Sequence, residues 1–330
     1  MLSRVAENLY WMARYLERAE DLGRFINSAT LLLLDLPLGT RFGWDILLQV
    51  TGEAERFQKY YGQPAEAAIM RFLISDSRNP SSLLSCVHQA RENCRTFRDL
   101  LPGEFWERIN SLFLYVQDGL EKDDIAGDRR ARLDFLGQVI ARRHALVGLL
   151  VGSMSQNAAY QFIKLGRNIE RADMGSRIID VVSAVIPPED QGMRKTVYQS
   201  LWVGVLRAMS ALEMYRQHVG VQIRSGRAVE FLLRDSKCPR SVRSCLADME
   251  LGLAYLPNAG IPAEALRRTR RRLDQLQLKE LSPAVLHEYL DQVQKDLGVL
   301  HSSIENAYFR IREDKAPYPH PSSHRFAMQA

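Results

Sequence analysis

The stretch Asn8–Ile26, NLYWMARYLERAEDLGRFI, decides how the chain is read, because much of it returns at Gln161–Ile179 as QFIKLGRNIERADMGSRII. Arg14, Glu17, Arg18, Ala19, Arg24 and Ile26 recur as Arg167, Glu170, Arg171, Ala172, Arg177 and Ile179, each 153 residues later, and Glu20 recurs as Asp173. At roughly 100° per residue, Arg14, Glu17, Arg18, Asp21 and Arg24 fall within about 120° of one helix face. Met12, Tyr15, Ala19, Leu22 and Ile26 take the neighbouring face. Such a helix can pack into a core and still present an ordered charged row.

Working outward, the chain reads as one helix after another. Residues 3–34 hold a helical period that stops at Asp35–Gly39, where Pro37 and Gly39 are breakers. A second helix is expected from Phe42 to Tyr61, carrying Trp44, Ile46 and Leu47, and a short one after Pro64 runs into Phe72-Leu73. Asn79-Pro80 reads as an N-cap followed by the first helical position. Further helices are expected at about 80–100, 103–121 and 129–152. No run alternates polar and apolar residues as a strand would, so the fold class expected is all-α.

A second set of matches follows the first in the same order. Phe72, Leu73, Asp76, Ser77, Pro80, Ser82, Ser85 and Cys86 recur 159 residues later as Phe231, Leu232, Asp235, Ser236, Pro239, Ser241, Ser244 and Cys245. Trp44 pairs with Trp202 and Glu55 with Glu213, and the loop after the first long helix returns at Ile186–Asp190. The expectation is a duplicated multi-helix bundle whose two pseudo-symmetric halves, residues 1–155 and 156–311, pack as one unit. Residues 312–330, with prolines and two histidines but little apolar content, are expected to be a disordered tail.

Composition narrows the function classes. A chain of 330 residues, 46% hydrophobic and 25% charged, has ample core for a soluble protein. A net charge of +5, mostly from arginine, permits an anionic ligand without demanding nucleic acid. The basic run Arg267–Arg272 has no interleaved aromatics, which argues against a single-strand binder. Cys86, Cys94, Cys238 and Cys245 form no metal-binding spacing and read as reduced thiols. Arg4, Glu7 and Arg14 break any signal-peptide pattern at the N-terminus, and Leu31–Leu34 is too short to span a bilayer, so the expected location is cytoplasmic, with no membrane contact.

The opening MLSRVAENLYWMARYLERAEDLGR, the second copy FIKLGRNIERADMGSRI and the later FLLRDSKCPRSVRSC resemble the bacterial alpha-E family, an all-helical group of unknown function. The resemblance extends over nearly the whole chain, up to Ile311. Members of that family tend to be encoded beside, or fused to, circularly permuted ATP-grasp ligases, often with transglutaminase-like peptidases nearby. The resemblance therefore implies a part in making or remodelling amide bonds, with such a ligase, and a peptidase of that kind, as partners. It assigns no catalytic residue.

Two sets of candidate residues emerge. The first is the charged row of Arg14, Glu17, Arg18, Arg24, Arg167, Glu170, Arg171 and Arg177. Its spacing allows pairing along each helix or an ion-pair lattice between the two helices, and spare guanidinium donors could hold a carboxylate, phosphate or peptide ligand. The second is the repeated FLxxDSxxPxS loop with Asp76, Ser77, Arg78, Asp235, Ser236 and Lys237. It is either a turn whose aspartates satisfy loop amides or an anion site at a helix N-terminus. Phosphate-loop, dinucleotide, zinc-peptidase and nucleophile-elbow motifs are missing, so no cofactor, metal or catalytic residue is assigned. The expected function is a non-catalytic partner or substrate-presenting subunit of an ATP-grasp amide ligase. The alternatives are an enzyme acting on a peptide or amide through these same polar sites and, less favoured, an RNA-binding helical protein.

Overall fold

The computed structural model describes residues 3–35, 43–122, 124–185, 191–276 and 282–310. The two proline loops and the expected tail after residue 311 lie outside the described residues. Among the described residues every regular element is a helix. The first seven are α1 (Ser3–Asp35), α2 (Asp45–Thr51), α3 (Ala54–Tyr61), α4 (Glu66–Ile74), α5 (Leu83–Thr96), α6 (Gly103–Lys122) and α7 (Arg129–Ser153), with a short 3-10 turn at Arg98–Leu100. The next seven are α8 (Ala158–Ser183), α9 (Gln191–Ala208), α10 (Leu212–His218), α11 (Ser225–Arg234), α12 (Val242–Ala254), α13 (Gly260–Gln275) and α14 (Pro283–Tyr308).

Two boundaries differ from the sequence reading, each for a local reason. The helix expected from Phe42 to Tyr61 is two helices, because Gly52 adopts φ 70°, a left-handed conformation that ends α2. Asn79 does not cap α5. Its side chain bonds back to the Phe72 carbonyl (3.1 Å) and accepts from the Ser81 amide (2.9 Å), closing a turn. The helix begins three residues later, where the Ser82 hydroxyl accepts from the Ser85 amide. Ser241 caps α12 through Ser244 in the same way.

The centre of the molecule is the contact between α1 and α8. Around it α1 is covered by α5, α7 and α9, and α8 by α12, α14 and α2. Leu9, Tyr10, Met12, Leu22 and Ile26 of α1 are buried, as are Leu165, Ala172 and Ile179 of α8. Each leucine, isoleucine or methionine among them contributes about 1.5–3 kcal/mol by leaving water. The two backbones come close at Gly166, where a Cβ would run into the Tyr10 carbonyl. Only a glycine lets the two backbones meet there.

Of the described helices, α7 alone is long and apolar enough to cross a membrane. It packs instead on α1 and α6 and buries Arg132 and Arg143, which bond Glu66 (2.6 Å) and the carboxylates of α1. A third (33%) of its apolar stretch is buried, and the two paired arginines lie on that packed face.

Candidate functional site

The charged rows of α1 and α8 face each other, and each glutamate is held by arginines of the opposite helix. Glu170 of α8 lies between Arg14 (Nε–Oε2 2.7 Å) and Arg18 (Nε–Oε1 2.5 Å), and Arg18 adds a second bond from Nη2 (3.1 Å). Glu17 of α1 receives Arg171 (2.5 Å) from α8, Arg143 from α7 and Arg240 (3.1 Å) from the loop before α12. The pairing along one helix that the spacing allows for Arg14, Glu17 and Arg18 is not formed, because that face is turned towards α8 and the partners come from there.

The lattice continues one turn further. Glu20 is bonded by Arg24 (2.7 Å), Arg143 (2.6 Å) and Arg240 (2.5 Å), with His144 at 3.2 Å, and Asp21 by Arg240 (2.5 Å). On α8, Arg177 bonds Asp173 (3.0 Å). Arg167, which matches Arg14 in the sequence, is the exception: its Nε is buried without a hydrogen-bond partner, and burial together with nearby Arg171 lowers its pKa.

Burial alone would keep the Glu170 carboxyl protonated, but Arg14 and Arg18 outweigh it and hold the pKa at about 2. Burial opposes ionisation of Glu20 in the same way, and Arg143 with the other partners brings it well below the ordinary range. Asp21 goes the other way: burial, reinforced by the charges of Glu17 and Glu20, outweighs Arg240 and pushes it up to about 7. Asp173, for which Arg177 is the main opposing charge, is also raised by burial. The lattice therefore favours the ionised form where arginines crowd a carboxylate, and burial shifts its two aspartates the other way.

Beside the lattice lies a cavity of about 190 Å³, whose polar wall consists of Arg18, Thr51, Ser81, Glu170, Asp173 and Arg177. Three of these six, Arg18, Glu170 and Arg177, are row residues and Asp173 is the partner of Arg177, so the cavity opens directly onto the ion pairs.

The family whose model matches residues 1–309 is described as a predicted alpha-helical domain with a conserved ER motif. The chain belongs to the Alpha-E family. Two of its ER dipeptides, Glu17-Arg18 and Glu170-Arg171, form the centre of the lattice. Uncharacterized proteins of Mycobacterium bovis and Mycobacterium tuberculosis are similar to it, at 21% identity over 322 residues that cover 91% of this chain. The chain spans about a third (35%) of the length of these relatives. No solved structure matches it.

In this Alpha-E chain the repeated loops are built as turns. Asp76 accepts from the Arg78 amide (2.9 Å), the Arg78 guanidinium (2.7 Å) and the Tyr61 hydroxyl (2.8 Å), and these donors, Arg78 first, hold its pKa near 2. Asp235 accepts from the amides of Lys237 (2.8 Å) and Cys238 (2.6 Å). Ser77, Arg78, Ser236 and Lys237 are exposed, and Arg78 lies over the Tyr60 ring. What the loops send to the lattice are other residues, Arg240 from one and Ser81 from the other. Arg143 and Arg240 are the lattice members that reading the α1 and α8 rows misses. Arg240 is one of several mismatches in the repeated segment, standing opposite Ser81 as Arg234 stands opposite Ser75 and Arg243 opposite Leu84, so no sequence signal singles it out.

Proposed function

We propose that the protein is a non-catalytic partner, or substrate-presenting subunit, of an ATP-grasp amide ligase in the cytoplasm, with a transglutaminase-like peptidase as a second associate. The observation that carries this reading is the engagement of the ER glutamates: Glu17 and Glu170 are fully buried and each is held by at least two arginines from other segments. Carboxylates held this way are fixed charges, poor general acids or bases, and they brace α1 against α8. The loop aspartates are likewise engaged by their own turns. The four cysteines are buried, and burial pushes the Cys86 and Cys245 thiols to about 12, which suppresses the nucleophilic thiolate.

Two further observations support a partner. In the mycobacterial relatives the same unit is part of a chain nearly three times as long. At the α12–α13 connection, Leu251, Tyr255 and Ile261 are exposed, Tyr255 and Ile261 by 74% each, which provides apolar side chains for a contact face.

The same proposal includes the internal duplication, with halves 1–155 and 156–311. Its support is the matched order of neighbours, in which α5 and α7 cover α1 as α12 and α14 cover α8, and the matching caps at Ser82 and Ser241.

The experiment is co-elution of the purified protein with an ATP-grasp ligase from the same genome, repeated with Tyr255→Ser/Ile261→Ser. The reading expects a complex that this double variant weakens while keeping its fold. Independent elution of the two proteins at micromolar concentration would refute it.

A further inference from the structure

The cavity beside the lattice has a filled counterpart. Pro80-Ser81-Ser82 and Pro239-Arg240-Ser241 occupy turns with the same local bonds: Ser82 and Ser241 cap the following helices, and Cys86 and Cys245 lie 3.9 and 3.7 Å from the carbonyls of Pro80 and Pro239. At the second turn Arg240 inserts its guanidinium among Glu17, Glu20 and Asp21 of α1. The matching residues of α8 are Glu170, Asp173 and Met174, and the residue matching Arg240 is Ser81. Relative to its counterpart, the cavity therefore lacks the cation of the loop, Arg240, and one anion, Asp21, and among the described residues Asp173 is also without a partner in the place of Arg143. Ser81 and Met174 both line the space left.

What would restore the missing pair is a ligand carrying both charges close together. We propose that this cavity binds the zwitterionic head of a free α-amino acid, its ammonium against Asp173 and Glu170 and its carboxylate against Arg177 and Arg18. Both signs line the wall, so neither charge of the ligand is left without a partner. Arg177 bonds Asp173 only through Nε, and Gly52, lying against Nη1, leaves room for its fork, so a guanidinium edge remains for a carboxylate. Asp173 has one arginine partner where its counterpart Glu20 has three, so an ammonium meets a carboxylate short of positive neighbours. Ser81 adds a hydroxyl that donates or accepts as the ligand requires, and Thr51, whose hydroxyl donates to the Leu47 carbonyl (2.7 Å), adds an acceptor. A volume near 190 Å³ is of the size of a single small ligand head such as that of an amino acid.

The site is tested on the purified full-length chain with no ligase present, so the outcome is independent of the partner reading. Each free L-amino acid is screened by thermal shift and hits are titrated by calorimetry, alongside the decarboxylated amine and the deaminated acid of each hit. The expected result is saturable 1:1 binding of at least one amino acid, with both half-ligands weaker by about tenfold or more, since each lacks one charge-assisted contact. Asp173→Asn and Arg177→Gln should each weaken binding by a similar factor. Ser81→Arg, which supplies the guanidinium from the chain itself as Arg240 does, should abolish it. If Ser81→Arg does not fold, the wild-type half-ligand series and Asp173→Asn decide. The proposal is overturned if no amino acid binds, if an amine or an acid alone binds as tightly, or if a folded Ser81→Arg binds as well as the parent.

Discussion

Glu170→Ala is the sharpest perturbation of the lattice. The carboxylate is 2% exposed, and among the described residues its two partners, Arg14 and Arg18, have no other carboxylate within bonding distance. Arg14 retains a cation–π contact to Trp11 (4.7 Å), and Arg18 a looser one to Tyr15 (5.9 Å), neither of which neutralises a charge. Truncation therefore leaves two largely buried guanidiniums facing an apolar methyl, and breaking a buried pair from one side costs about 3–5 kcal/mol. Glu17→Ala should cost less than its three partners imply, because Arg143 and Arg240 keep Glu20 and only Arg171 is stranded. Urea unfolding of both variants, with the slope compared to confirm unchanged surface exposure, gives the two losses. A Glu170→Ala loss under about 1 kcal/mol, the range of an exposed pair, would refute the buried lattice.

Below about pH 4 acid should destabilise the protein, whereas between about pH 7 and 4 two groups oppose each other, because Asp21, raised to about 7, is stabilised by protonation while His301 resists it. The folded His301, with its pKa lowered from 6.5 to about 4 by burial and Arg14, takes up its proton later than the unfolded chain does, so its contribution is complete above about pH 6.5 and lost as the pH falls through 4. Glu170, lowered from 4.5 to about 2, contributes fully above about pH 4.5 and loses that contribution as the pH falls through 2. Melting temperatures of Glu170→Gln should therefore be flatter than the parent's below pH 4.5, and parallel curves would contradict the assignment. Gly166→Ala should cost about 1–3 kcal/mol or more, because the new methyl meets the Tyr10 backbone. Gly148→Ala, on α7 with nothing near its Cβ, should instead stabilise by about 0.5–1 kcal/mol, and thermal melts compare the two directly. Cys86 and Cys245 should react with a thiol reagent only as fast as the protein opens, and rapid labelling of the native state would show them accessible.

The helical character was legible because its signals are local. The period of residues 3–34 anticipates α1 at Ser3–Asp35, and the apolar faces that recur every three to four residues are the buried ones. Breaks that depend on backbone conformation were less visible: Gly52 permits the left-handed turn that ends α2, but a single glycine is also tolerated inside a continuous helix. The charged row could be located from Arg14, Glu17 and Arg18, but its wiring could not. Pairing across 152–156 residues, as between Arg18 or Arg14 and Glu170, is a property of how α1 lies on α8. Arg143 and Arg240 enter from α7 and a loop, where periodicity carries no information about a distant partner. The cavity was invisible for the same reason, since it exists only where Ser81 faces α8 at a place that an arginine fills on the other side.

The central claim, that this chain assists amide formation without catalysing it, is tested most directly by an ATP-grasp ligase from the same genome, incubated with ATP and a cell extract, with and without the purified protein. New amide products are followed by mass spectrometry. The account predicts a product whose formation requires the ligase and rises when the protein is added, with none from the protein alone. Amide formation or hydrolysis by the protein without the ligase would contradict it.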